Sequence, residues 1–127
     1  MQQRLAELLR RADAESPGAT WILQRLSEAP GCNWQQGRKT RFGRSKSYDC
    51  LFVGDWSFEP TMLDNHSYGI KMTHVVNGIR IAQTTGTVSA LADQIARAVC
   101  EVAVSLGGKS TQELETVIEG IEIALDI

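Results

Sequence analysis

The sequence predicts an α+β fold: two N-terminal helices, an antiparallel β-meander of three to four strands, and two C-terminal helices packed on one face of the sheet. Three observations predict it. Apolar residues recur at helical spacing near both ends, at Leu5, Leu8, Leu9 and Ala12 and again at Leu114, Val117, Ile118, Ile121 and Leu125. The middle of the chain changes to strand composition around Asn77-Gly78, a pair suited to a two-residue type I′ hairpin turn. Between that hairpin and the last helix, Thr87–Leu106 is almost wholly apolar except for a narrow polar stripe.

The first helix is expected over residues 2–14. Ser16-Pro17 then offers a second start, serine as N-cap and proline at the first helical position. Ile22, Leu23 and Leu26 give that helix its apolar face, with Trp21 at the edge, and Pro30-Gly31 ends it. Strands are expected over about 38–42, 46–55, 68–76 and 79–85. The first two form an edge hairpin turning at Gly43-Arg44-Ser45, and Tyr48–Asp55 is apolar enough on both faces to lie inside the sheet. Ser57–Ser67, with Pro60 and Asp64-Asn65, reads as a loop.

The Asn77-Gly78 turn sets a register of Val76 opposite Ile79, His74 opposite Ile81 and Met72 opposite Gln83. Tyr68, Ile70, Met72, His74, Val76, Ile79 and Ile81 would then make one apolar wall. A central helix over 87–106, capped by Thr87, carries Asp93, Arg97 and Glu101 on its water-facing stripe. Gly107-Gly108 stops it. Ser110 and Glu113 form a capping box for a last helix over 110–126.

The 127 residues suffice for one domain, 1–127, whose core needs no disulfide or metal staple. An apolar fraction of 43% and a charged fraction of 22% fit a soluble globular protein and argue against disorder or a fibre. No apolar run approaches the roughly 18 residues of a membrane span, so no membrane association is expected. The charged N-terminus lacks the apolar run of a secretory signal. Cys32, Cys50 and Cys100 are odd in number and lack C-x-x-C spacing, which fits a reducing cytoplasm.

The clearest pointer to a partner is the segment 37–47, GRKTRFGRSKS. It gathers Arg38, Lys39, Arg41, Arg44 and Lys46, five of the thirteen basic residues, without an acid. Guanidinium groups grip phosphate or carboxylate through paired donors, and Phe42 or Trp34 supplies a plane for stacking. The expectation is a non-enzymatic binding module for an anionic ligand: a nucleotide, a nucleic-acid backbone or an acidic protein surface. A net charge of −2 argues against strong non-specific nucleic-acid binding.

The alternative is a homo-oligomeric interaction or inhibitor protein, such as a phage or mobile-element accessory factor. It would use the acidic stripe Glu115, Glu119, Glu122 and Asp126 of the last helix, whose like charges call for a counter-charge opposite. Against these stand solvated faces, the ordinary role of charge runs. An enzyme would have to draw on Asp64, His66 or Cys32, which match no catalytic or metal spacing, and no cofactor is expected. Gly107-Gly108-Lys109-Ser110 resembles the end of a phosphate-binding loop but lacks its first glycine and follows a helix, so it reads as a pair of helix caps.

Overall fold

The computed structural model describes residues 1–16 and 20–127, and for residues 37–41 and 44–48 it describes the backbone alone. The order is α1 (Gln2–Glu15), α2 (Thr20–Leu26), β1 (Cys32–Arg41), β2 (Arg44–Val53), β3 (Trp56–Met62), β4 (Tyr68–Val76), β5 (Ile79–Gly86), α3 (Ala92–Leu106) and α4 (Ser110–Ala124). The α+β expectation holds, with five strands in place of three to four. They form one antiparallel meander in the order β1-β2-β3-β4-β5.

The predicted helical faces are the buried ones. α1 buries Leu5, Ala6, Leu8, Leu9 and Ala12, and α2 buries Ile22, Leu23 and Leu26. Pro17 lies outside the described residues, while Ser16 closes α1, its N–H donating to Ala12 O at 2.9 Å. α2 meets β1 and α3 meets β2, while α1 and α4 pack on α3. The sheet answers with Leu51, Val53, Phe58, Ile70 and Met72. These share a face because the ladders set Leu51 opposite Phe58 and Phe58 opposite Met72.

Ser57–Ser67 is mostly strand, which corrects the expected loop. β3 pairs with β4 from Trp56↔His74 to Met62↔Tyr68. Its ladder to β2 covers only Leu51↔Phe58, Phe52↔Ser57 and Val53↔Trp56. At Pro60, β3 therefore has a neighbour on one side only, the setting in which a strand tolerates a residue without a donor. The chain reverses over residues 63–67, where Asn65 Oδ1 accepts from Ser67 N at 3.1 Å and His66 takes a φ of 64°.

The first hairpin also differs. β1 starts at Cys32, and the turn is Phe42-Gly43, with φ of 53° and 75°, one residue before the expected Gly43-Arg44-Ser45. In the β4–β5 hairpin Val76 faces Ile79 as expected, but a bulge follows. Val75 faces Arg80 and His74 faces Ala82, so Ile81 is the extra residue and Met72 faces Thr84. The expected apolar wall is cut short in consequence. Ile70 and Met72 are buried, whereas Tyr68, Ile79 and Ile81 are exposed.

α3 begins at Ala92, not at Thr87. Thr87 instead caps the turn before it, Oγ1 accepting from Ala90 N at 3.0 Å. α3 buries Ala92, Ile95, Ala96, Ala98, Val99 and Ala103 and ends at Gly107, φ 65°, although Val104 and Leu106 in its last turn are exposed. Ser110 is the first residue of α4 and Lys109 its cap, so the expected capping box does not form. No helix among the described residues is long and apolar enough to cross a membrane.

Candidate functional site

The β1–β2 hairpin continues well beyond the three-stranded part of the sheet. Seven residue pairs, from Gln35↔Cys50 to Arg41↔Arg44, extend past the last rung that β3 shares. That is a two-stranded ribbon about 20 Å long. Its register sets Lys39 opposite Lys46 and Arg41 opposite Arg44. Directly opposed residues share a face, as do residues two apart along a strand. Lys39, Arg41, Arg44 and Lys46 therefore occupy one face of the ribbon, and Arg38 occupies the other with Thr40, Ser45 and Ser47. The side chains of the five cations lie outside the described residues, so this placement comes from the backbone ladder alone.

The same face continues through Gln35, Cys50 and Phe52, opposite the face that Leu51 and Val53 bury in the core, and Cys50 is itself buried there.

Phe42 stands at the tip, between Arg41 and Gly43. Its side chain is 91% exposed, and its backbone is left-handed, a conformation that bulky residues rarely adopt. Trp34, the second stacking residue expected, is placed elsewhere. It faces Leu51 on the helix-covered side and packs half-buried against the core, with its indole Nε1 buried and unpartnered among the described residues. The ladder thus puts Trp34 on the face opposite Lys39, Arg41, Arg44 and Lys46 and on the same face as Arg38.

The acidic stripe of α4 has the counter-charge its sequence called for. Arg4 of α1 lies between Glu115 and Glu122: Nη1 donates to Glu115 Oε1 at 3.3 Å and Nε to Glu122 Oε2 at 3.3 Å, with a further bond from Nη2 to Glu122 Oε1. The Glu122 bond is the main cause raising the Arg4 pKa. Glu119 and Asp126 remain exposed. On α3, Arg97 Nε donates to Glu101 at 3.1 Å as expected, while Asp93 takes Arg10 of α1 at 2.8 Å.

The catalytic candidates do not assemble. Asp64 and His66 are exposed in the β3–β4 turn, away from Cys32 at the start of β1. Cys32 is half-buried. Burial, and secondarily the neighbouring Cys100, push its pKa up to about 12, which disfavours the nucleophilic thiolate. Burial also raises Cys100. Among the described residues no group of three His, Cys, Asp or Glu side chains can hold a metal ion.

The sequence places His74 on an apolar wall opposite Ile81. It is half-buried and stacks on Trp56, the residue opposite it, with centroids 4.2 Å apart and planes 5° from parallel. The pair borders a cleft of about 470 Å³ with Asp55, Gln94, Arg97 and Glu101. Sequence reasoning missed this cleft because β3 had been read as loop. The alternation Trp56–Phe58, continued across the ladder by Met72 and His74, was the available signal.

A family model described as a domain of unknown function (DUF5073) matches residues 1–123, and the chain belongs to that family. No curated protein and no solved structure matches it.

Proposed function

We propose that this DUF5073 member is a non-enzymatic binding module whose β1–β2 ribbon holds an anionic ligand. One observation carries the reading: the ladder that sets Lys39 against Lys46 and Arg41 against Arg44. Cationic residues scattered along an edge strand serve to discourage edge pairing. Four of them at register positions of one ribbon face exceed that need and suit a partner that brings several negative charges at once. The setting is cytoplasmic in this reading, in keeping with three unbridged cysteines.

The test is binding to polyanions across a salt series, using polyphosphate, heparin and polyglutamate as probes. Binding weakens with salt on a log–log line, and Arg41→Gln with Arg44→Gln makes that line shallower by roughly 0.7–0.9 per cation removed. Affinity for every probe that is indifferent to salt, or to the double substitution, defeats the proposal.

A second reading, a homo-oligomer built on α4, draws on Ile123, which is exposed beside Glu119 and Glu122. Arg4 weakens it, since two of the four acids already have a cation within the same chain. Light scattering over a concentration series separates the two readings. A constant monomer mass removes the second.

A further inference from the structure

We propose that the cleft beside the Trp56–His74 stack binds a small organic cation, a primary ammonium group carried on a ring-sized apolar body. The site is separate from the ribbon. Asp55 follows the end of β2, whereas the ribbon turns at the start of that strand. Occupancy of the cleft is therefore independent of the anion-binding reading above.

Two neighbouring rows of the sheet show how the cleft arises. One row runs Leu51–Phe58–Met72 across β2, β3 and β4, and all three residues are buried. The next row on the same face runs Val53–Trp56–His74. There Val53 is buried, but the two rings are only half-buried. α3 faces the rings with Ala98, while its larger residues Ile95 and Val99 are spent on the core. A methyl group reaches less far than the aliphatic side chains that close the core, and a cleft of about 470 Å³ remains. Small-molecule sites occupy about 300–1,000 Å³.

The lining divides by chemistry. Trp56, His74 and the buried Ala98 form an apolar floor. The rings stack at 4.2 Å, so the floor is ordered before any ligand arrives. The exposed rim is Asp55, Gln94, Arg97 and Glu101. Arg97 Nε donates to Glu101 Oε1 at 3.1 Å, and those two charges offset each other. Asp55 has no counterpart. Its backbone oxygen accepts from Val75 N at 2.9 Å, but its carboxylate has no hydrogen bond or ion pair among the described residues. The side chain of Gln94 is likewise unbonded among them.

Asp55, Arg97 and Glu101 thus sum to one negative charge, which attracts a cation and repels an anion. The free acceptors are the Asp55 carboxylate, the second oxygen of Glu101 and the Gln94 amide oxygen, a match for the three N–H donors of a primary ammonium. A metal ion fits poorly, because among the described residues no group of three His, Cys, Asp or Glu side chains can hold one. A purely polar ammonium ion would leave the ring floor in water, so the cation needs an apolar body.

The experiment is isothermal titration calorimetry of the full chain with three probes that share one body: phenethylamine, phenethyl alcohol and hydrocinnamate. The amine binds about 5- to 10-fold more tightly than the alcohol, the gain from one charge-assisted contact at a partly exposed site, and the carboxylate binds least. Asp55→Asn removes the charge from a side chain that holds nothing else in the fold, and the amine then binds no better than the alcohol. Gln94→Trp, on the exposed side of α3, fills the cleft and abolishes binding of both. In proton–nitrogen correlation spectra the amine shifts the indole N–H of Trp56 and leaves those of Trp21 and Trp34 in place.

A peptide N-terminus carries the same ammonium, so amidated phenylalanyl-glycine is the fourth probe. Tighter binding than phenethylamine assigns the site to the chain terminus of a partner protein, weaker binding assigns it to a free amine, and both uphold the cationic site. Equal affinity for the first three probes, or preference for the carboxylate, overturns the cationic assignment. A preference for the amine that survives Asp55→Asn overturns the part given to Asp55. Amine binding with an unmoved Trp56 signal overturns the location. No binding of any probe at millimolar concentration overturns the inference and leaves the polyanion titration of the ribbon untouched.

Discussion

Phe42 and Asn77 hold the same position in two turns of one chain, and their φ angles differ by a single degree, 53° against 52°. The turn geometry is fixed by the two-residue connection, so the side chains alone differ in how well they suit it. Exchanging them is a direct measure of that difference. Phe42→Asn is expected to stabilise and Asn77→Phe to destabilise, each by about 1 kcal/mol. Urea denaturation of the two variants checks the pair, and shifts of the same sign would show that the turns are not equivalent.

Gly31 precedes β1 at φ 77°, where an added Cβ would overlap Val102 Cγ1 of α3. Gly78 has the same φ of 77° but open space around it. Gly31→Ala therefore combines backbone strain with a steric clash and should cost about 2–4 kcal/mol, against about 1 kcal/mol for Gly78→Ala. Equal unfolding midpoints for the two alanine variants would contradict the close packing of β1 on α3.

The bridge from α1 to α4 passes through one guanidinium. Arg4→Met and Glu122→Gln should each lower the melting temperature modestly. The double variant should be little worse than the more damaging single one, since both remove the same interaction. Calorimetry of the three proteins tests this. Additive losses would mean that Arg4 and Glu122 act separately.

Cys32 gives the protein an alkaline sensitivity. Its thiol keeps its proton in the folded state up to about 12, while the ordinary value is 9.0. Above pH 9 the unfolded chain releases that proton first, so the stability linked to Cys32 is complete below 9 and is lost as pH rises towards 12. Urea midpoints should fall over that window, and Cys32→Ala should flatten the fall. The alkylation rate of Cys32 should still be climbing at pH 10.

Much of the scaffold was legible because its signals are periodic. The faces of α1 and α4 follow from Leu5–Leu9 and Leu114–Ile118, and the Asn77-Gly78 turn from the need for positive φ. The failures have physical causes. β3 hid behind Pro60, which looks like a breaker until one knows that its strand has no neighbour on that side. The bulge at Ile81 was invisible because counting outward from a turn assumes an unbroken ladder.

The first turn was misplaced because phenylalanine is a poor residue for a left-handed position, and a residue in conflict with its backbone misleads any reading based on propensity. Of the candidate site, the charge cluster was plain in the sequence. Its arrangement into opposed pairs emerged only once the turn moved to Phe42-Gly43. Trp34 was paired with the cations by proximity along the chain, whereas alternation along β1 puts it on the face opposite Lys39, Arg41, Arg44 and Lys46, with Arg38 alone on its own side.

The extra residue at Ile81 bears on how β5 remains a bare edge. Its sequence, Ile79–Gly86, has neither proline nor lysine to repel a neighbour, and two isoleucines are exposed along it. Fibrillar stacking needs an uninterrupted repeat of backbone donors and acceptors. The irregularity between His74 and Val75 breaks that repeat at Ile81, leaving an unbroken run only from Ala82 to Gly86, so a foreign strand docking along the whole of β5 would lose step there. A kink that looks like a flaw in the hairpin is thereby a safeguard against runaway polymerisation.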